Sequence, residues 1–260
     1  MSQKLIIDRE KTERIYLTSN YTGVEDEFSS YYGGDQKWFG NESGYELIKK
    51  TGCGLIAMSD ISLYLRRAEG RVARTDYLSF IKQFNDSFVH LRMRKGFLGK
   101  RFGMNNIDGR TSRILNAYFR KNSLPYKAVT RHSPDSRRDL QIAVTERKSY
   151  KMITDSIKND LPVIIGIGPS DGSGVPLYTE EKLKRGTFVS GSTTENHYVT
   201  ITGILTYRDE DKLTVLYKIS SWGKKYYINA NDLLEHITRE KGIKYIIARI
   251  SNNMTIIKHK

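Results

Sequence analysis

The sequence TGCGLIAM, residues 51–58, decides the fold, because it places the only cysteine of the chain, Cys53, where a turn-rich loop meets an apolar run. The apolar residues after Cys53 recur with helical spacing, which predicts a helix that begins near Cys53 and buries one stripe of its surface. Unpaired backbone N–H groups and the helix dipole favour a thiolate at a helix N-terminus. We therefore expect a lowered pKa for Cys53.

The composition indicates one globular domain over residues 1–260, since the chain is long enough for a large core and 38% of its residues are hydrophobic. A single cysteine cannot form an intramolecular disulfide, and the Cys/His spacing of a zinc site is absent. We expect neither metal nor cofactor. No apolar stretch has membrane-spanning length and the N-terminus lacks the apolar segment of a signal peptide, so a cytoplasmic protein is predicted.

The charge balance is basic, with a formal net charge of +14 from 43 Lys and Arg against 29 Asp and Glu. Such a charge would suit an acidic partner or nucleic acid. The basic residues are spread along the chain, and no signature of a nucleic-acid-binding module is visible. Solvated basic faces are the favoured interpretation, and nucleic-acid binding stays open as an alternative.

The two halves of the chain follow different patterns. Up to about residue 160 the apolar residues have helical spacing, after a polar segment 1–30 with a short strand at Leu5–Ile7 and an aromatic, glycine-rich loop at 31–44. The segment 131–147 is highly charged and is predicted to be an exposed insertion. A long loop is expected at 168–195. Strands are predicted at 161–167, 197–204, 213–219, 224–229 and 243–250, with helices near 55–68, 75–84, 111–119, 148–159 and 231–236.

This order predicts an α+β fold in which a helical lobe, about residues 30–160, packs on an antiparallel β lobe, about 161–250. A thiol nucleophile at Cys53 needs a base, most often a histidine from elsewhere in the chain. His197 opens an alternating strand at the mouth of the long loop. The other four histidines lie at helix ends, in the charged segment or at the C-terminus.

Two further stretches provide companions for this pair. The amide of Gln36, in the aromatic loop, and the backbone N–H of Cys53 would together make an oxyanion hole for acyl transfer. The stretch Ser220-Ser221-Trp222-Gly223 ends the strand that should pair with the His197 strand.

In this order the motifs resemble those of the papain-fold cysteine peptidases, in particular the bacterial branch related to the bacteriocin double-glycine leader-processing peptidases. The motifs that carry the resemblance are Gln36 with Trp38, Gly52-Cys53-Gly54 with Ala57-Met58, Leu161-Pro162-Val163, His197-Tyr198-Val199 with Gly203, and Ser221-Trp222-Gly223. The resemblance covers roughly residues 31–235 and implies a papain-like architecture with a cleft between the two lobes.

The resemblance also implies roles: Cys53 is the nucleophile, His197 the general base and acid, and Gln36 the oxyanion donor. The family's orienting Asn or Asp is replaced by Ser220, and Ser221 and Asn196 are alternative orienters. The implied activity is hydrolysis of a peptide or other acyl substrate through a thioester. Two alternatives stay open: an acyltransferase on the same scaffold, and a non-catalytic binding protein that uses its basic surface for an acidic partner or nucleic acid.

Overall fold

The computed structural model describes residues 3–40, 44–66, 71–91, 110–169, 174–209, 212–239 and 252–260. Over these residues the chain is a mixed α+β protein, as the sequence predicts. Its helices are α1 (Glu46–Thr51), α2 (Cys53–Leu65), α3 (Arg74–Phe84), α4 (Arg110–Lys121), α5 (Lys148–Lys158) and α6 (Ala230–Thr238). None of the helices in the described part of the chain is both long and apolar enough to cross a membrane.

The strands form one large antiparallel sheet and one small mixed sheet. The strands are β1 (Lys4–Ile6), β2 (Thr12–Tyr16), β3 (Gly23–Glu25), β4 (Ser30–Tyr32), β5 (Arg71–Ala73), β6 (Tyr126–His132), β7 (Val163–Ile167), β8 (Val175–Glu180), β9 (Thr187–Thr194), β10 (His197–Asp209), β11 (Lys212–Ser221), β12 (Lys224–Asn229) and β13 (Asn253–His259). The large sheet has the order β1-β9-β8-β12-β11-β10-β7-β13-β6, with β2 also on β10, and the small one is β4-β3-β5.

Helix α2 is enclosed by the rest of the protein. Every residue from Gly54 to Leu65 is buried, including the polar residues Ser59, Asp60 and Ser62. The sequence predicts a single buried stripe, and the observed helix is instead buried on all its sides, as expected for a helix in the centre of a core. Other helices and the strand β10 pack around it.

The large sheet carries an apolar core on each face. Alternate residues of β7 divide between the two faces, with Ile164 in the core around α2 and Ile165 in the core beneath α5 and α6. A strand that is buried on both faces reads as a continuous apolar run, which is why Val163–Ile167 contains only β-branched residues and one glycine. The sheet therefore separates the α2 side of the molecule from the α5 and α6 side.

The N-terminal segment belongs to the large sheet. The predicted strand at Leu5–Ile7 is present as β1, and β2 pairs with β10 over Gly203 to Tyr207. Strands β10 and β7 pair over His197 to Ile201. The strands β2 and β7 thus share one edge of β10, which is long enough at 13 residues to pair with both.

Two predicted loops are structured. The stretch 168–195 contains the paired strands β8 and β9, and the stretch 131–147 contains the end of β6, two short 3-10 turns and the buried residues Asp135 and Arg147. Strand β6 lies inside the predicted helical lobe and pairs with β13. The predicted strand at 243–250 lies outside the described residues.

The central position of α2 makes its apolar side chains critical for stability. Ile61 is fully buried there. We expect Ile61→Ala to lower the free energy of unfolding by about 2–5 kcal/mol, because the truncation loses transfer free energy and leaves a cavity. The matched control is Leu183→Ala, since Leu183 is 98% exposed, and it should change stability by less than about 0.5 kcal/mol. Urea unfolding of both variants measures the difference, and equal losses would contradict the central role of α2.

Candidate functional site

Cys53 is the first residue of α2, as the sequence predicts. Gly52 alone separates α2 from α1, and its backbone N–H donates to the carbonyl of Ile48 at 2.8 Å. A Cβ at residue 52 would collide with that same carbonyl, so the sharp junction between the two helices requires glycine. At this junction Cys53 is half-buried, whereas the rest of α2 is buried.

The electrostatic environment of the thiol differs from the sequence-based prediction. Burial raises the pKa of Cys53, while the backbone N–H groups of Tyr198, Gly54 and Cys53 lower it to a smaller extent. The net pKa shift is upward, because the desolvation of a thiolate outweighs the dipoles of the helix N-terminus here. The prediction of a lowered pKa for Cys53 was therefore wrong, although the donors that it invoked are present.

His197 is the first residue of β10 and is 7% exposed. Its Nε2 lies 2.7 Å from the hydroxyl oxygen of Ser221. If Nε2 carries the proton and donates it to that oxygen, Nδ1 keeps its lone pair and can accept a proton from a thiol. Ser221, one of the alternative orienters, thus holds the imidazole, whereas Asn196 is exposed.

Trp222 covers the imidazole with its indole ring. The two rings are stacked, with centroids 4.4 Å apart and planes 22° from parallel. Trp222 and Gly223 form the two-residue loop between β11 and β12, and both have positive φ, 49° and 68°. This is the pattern of a type I′ turn, where Asn or Gly is usual and Trp is strained. Burial of the imidazole lowers the pKa of His197 to about 4.

Ser220 does not take the orienting role that the resemblance implies. Its hydroxyl donates to the backbone carbonyl of Tyr32 at 2.8 Å, and the hydrogen bond to His197 is made by the next residue, Ser221. Ser220 instead ties the end of β11 to the aromatic loop. The predicted role of Ser220 is corrected in this respect, because consecutive strand residues point in opposite directions.

Gln36 begins a short 3-10 turn, Gln36–Phe39, which is capped by the side chain of Asp35. Its amide Nε2 donates to the carbonyl of Lys49 at 3.0 Å, and this contact folds the loop back onto α1. A side-chain amide nitrogen has a second N–H, which is the donor that an oxyanion hole requires. The separation of 17 positions from Gln36 to Cys53 is therefore compatible with a shared site.

Asp60 was not predicted. It lies two turns after Cys53 on the same face of α2, is 2% exposed, and accepts hydrogen bonds from the hydroxyl of Tyr77 at 2.5 Å and from the backbone N–H of Gly34 at 3.1 Å. A carboxyl inside an apolar helical run, seven residues after the nucleophile, is the signal in the sequence that would have identified it.

The predicted site residues and Asp60 line the same cavity. Its lining is Gly34, Gln36, Cys53, Ile56, Ala57, Asp60, His197, Tyr198, Thr200, Ser220, Ser221 and Trp222. All four predicted site residues, Gln36, Cys53, His197 and Ser220, belong to this lining. The described residues show no direct hydrogen bond between the thiol and the imidazole, although both face the same cavity. In the described part of the chain, no three His, Cys, Asp or Glu side chains come together as a metal site would require.

Comparisons of the chain with protein-family models, with curated proteins and with solved structures gave no match. The site therefore has to be interpreted from its own geometry.

Proposed function

We propose that the protein is a cysteine-dependent hydrolase of peptide or other acyl substrates, with Cys53 as nucleophile and His197 as base. The observation that carries the proposal is the meeting of Cys53, His197 and Gln36 in one cavity, although they come from α2, β10 and a separate loop. A thiol at a helix N-terminus, an oriented imidazole and an amide donor are the parts that acyl transfer requires.

The arrangement of the lobes also fits a papain-like architecture, which we include in the proposal. A central helix carries the cysteine, an antiparallel sheet carries the histidine, and the Trp222 ring shields the imidazole. The resemblance to the bacterial leader-processing branch stays part of the proposal. The described residues that line the cavity include neither Lys nor Arg, so the net charge of +14 is not concentrated at the site. This speaks against the cavity itself being a site for an acidic partner.

The first half of the reaction forms a thioester. Nδ1 of His197 accepts the proton of the Cys53 thiol as the sulfur attacks the substrate carbonyl carbon. The carbonyl oxygen becomes an oxyanion, which the N–H groups of Cys53 and Gln36 stabilise. The imidazolium then donates its proton to the leaving amine, the carbon–nitrogen bond breaks, and the acyl group stays on the sulfur.

The second half releases the acyl group. His197 accepts a proton from water, the resulting hydroxide attacks the thioester, and the carbon–sulfur bond breaks to give a carboxylic acid. The proton returns to the sulfur and restores the thiol. An amine in place of water would give acyl transfer to that amine, so the same site supports the acyltransferase alternative.

The two pKa shifts define the resting state of the pair. Burial favours the neutral form of each group, raising the pKa of Cys53 and lowering that of His197 to about 4. Near pH 7 the site therefore holds a neutral thiol beside a neutral imidazole, in contrast to a preformed thiolate–imidazolium pair. Proton transfer accompanies attack on the substrate, so His197 acts as a true general base.

A first experiment tests the function directly. 4-Nitrophenyl acetate should acetylate Cys53, detected as an acyl-protein mass and as 4-nitrophenolate release, and Cys53→Ser should abolish this labelling. We expect His197→Ala to slow acetylation by about 10²–10⁴-fold, because it removes the general base. The matched control is His132→Ala on the exposed end of β6. Equal rates in His197→Ala and His132→Ala would overturn the proposed role of His197.

A second experiment tests the neutral resting pair. Alkylation of Cys53 by iodoacetamide needs the thiolate but no general base. Because the pKa of the thiol is raised, its rate should climb by about tenfold per pH unit through the neutral range. His197→Ala should leave this profile nearly unchanged. A rate that is constant between about pH 5 and pH 8 in the wild-type protein, and pH-dependent in His197→Ala, would instead indicate a preformed ion pair.

A third experiment tests the shielding by Trp222. Trp222→Asn places a residue that tolerates positive φ in the type I′ turn and admits water to the imidazole. We expect the pKa of His197, followed by NMR, to rise from about 4 towards its ordinary value. Stability at pH 7 should change by no more than about 1 kcal/mol, because released backbone strain offsets the lost stacking. A His197 pKa that stays near 4 would show that other groups exclude water.

A further inference from the structure

The loop that carries Gln36 is attached to α2 through one buried carboxyl group. The Oδ2 of Asp60 accepts the backbone N–H of Gly34, two residues before Gln36, at 3.1 Å. Its Oδ1 accepts the hydroxyl of Tyr77, from α3, at 2.5 Å. Both oxygens of the carboxyl thus have a donor, and Asp60 bridges α2, α3 and the loop.

The close approach of this loop depends on two glycines. A Cβ at Gly34 would collide with the hydroxyl of Tyr77, and a Cβ at Gly33 would collide with Asp60 and with the hydroxyl of Ser220. Gly33 has a φ of 78°, in the left-handed region. The loop therefore lies directly on the carboxyl, with no side chain between them.

The same loop is bonded to the turn that orients the imidazole. The carbonyl of Gly34 accepts the N–H of Gly223 at 2.9 Å, and the carbonyl of Tyr32 accepts the hydroxyl of Ser220 at 2.8 Å. A displacement of Gly34 would shift Gln36 and would also disturb the turn that contains Trp222. Asp60 thus connects the nucleophile helix to the loop and, through the loop, to the turn that contains Trp222.

We propose that Asp60 is a positioning residue for the oxyanion side of the site, and that its ionised carboxylate is the form that holds Gly34, and through it Gln36, in place. The inference rests on the proposed function. An ionised carboxylate accepts charge-assisted hydrogen bonds on both oxygens, whereas a protonated one is neutral and holds the Gly34 N–H more weakly.

The protonation of Asp60 changes within the physiological range. Burial raises the pKa of Asp60 to about 7, and the hydrogen bonds from Tyr77 and Gly34 oppose this shift. The groups that face it are Tyr77 from α3 and Tyr21 from the segment before β3, and both tyrosines have pKa values raised well above 10.0 by burial. Cys53 and His197 share its cavity, and Asp35 adds a negative charge near Tyr77.

Two reactions of the same thiol separate positioning from reactivity. Acetylation by 4-nitrophenyl acetate passes through an oxyanion, while alkylation by iodoacetamide displaces iodide without one. Acetylation starts from the neutral thiol and uses His197 as its base, whereas alkylation needs the thiolate. Each protein's acetylation rate is therefore divided by its own alkylation rate at a fixed pH of 8, and this ratio corrects for differences in access to the thiol. In the wild-type protein we expect this ratio to rise with pH through about 7, as Asp60 ionises.

The variants make the test specific. Asp60→Asn should lower the ratio about tenfold at pH 8 and remove its pH dependence, a smaller loss than the 10²–10³-fold cost of deleting an oxyanion donor. Gln36→Ala should lower it as well, and the double variant should be no slower than Gln36→Ala alone. Asp155→Asn, at an exposed position of α5, is the matched control and should behave as the wild type. If Asp60→Asn does not fold, Tyr77→Phe decides, since loss of its hydrogen bond should move the rise to higher pH.

Several results would overturn the inference. The first is a rate ratio for Asp60→Asn equal to that of Asp155→Asn. The second is a double variant whose ratio falls by the product of the losses in Asp60→Asn and Gln36→Ala. The third is a ratio in Tyr77→Phe that rises at the same pH as in the wild-type protein. A wild-type protein whose Cys53 is alkylated but never acetylated would contradict the proposed function itself, which is a different outcome.

Discussion

The burial of α2 on all its sides is the constraint on which the other features of the structure depend. A carboxylate on a helix without a solvent face needs hydrogen-bond partners within the protein. Asp60 meets this demand through Tyr77 and Gly34, and the backbone carbonyl of the same residue accepts the hydroxyl of Thr22 at 2.9 Å. These contacts attach the segment before β3, helix α3 and the loop at Gly34 to α2. They also place that loop beside the thiol of Cys53.

Burial of the groups that line the cavity also determines the chemistry that the cavity can support. A dry site strengthens the hydrogen bonds that would hold an oxyanion, but it penalises a resting thiolate and a resting imidazolium. The upward pKa shift of Cys53 and the downward shift of His197 both follow from this single cause. The strained turn at Trp222 holds the indole ring on the imidazole, and the ring helps to exclude water from it.

Local patterns predicted helices α2 to α6 and the central strands β7, β10, β11 and β12, but not helix α1. The apolar spacing after Cys53 and the β-branched run at Val163–Ile167 both appear as expected. Pairings between distant segments were not predictable, since β2 joins β10 and β6 joins β13 through contacts that no local pattern encodes. The hairpin β8–β9 was not predicted, because β9 is largely polar and contains a glycine, which is more typical of a loop.

The sequence predicted residues that share one cavity, but it did not predict their contacts. Cys53, His197 and Gln36 share a cavity, whereas the contact of His197 with Ser221 instead of Ser220 depends on a register of one residue. The register of β10 against β11 includes a shift between Ile201 and Gly203, and the alternating pattern of the sequence gives no sign of such an irregularity. The pKa of Cys53 was mispredicted because a sequence shows the helix terminus but not the degree of desolvation.

The placement of the site along the chain has a consequence for its biosynthesis. The nucleophile is translated early, in α2, while the serine that holds the imidazole and the ring that covers it follow about 170 residues later. At ordinary rates of translation this interval is on the order of ten seconds. Until then the nascent chain carries the thiol without the residues that orient and cover the imidazole, so the acyl-transfer activity proposed for the folded protein has to wait for this part of the chain.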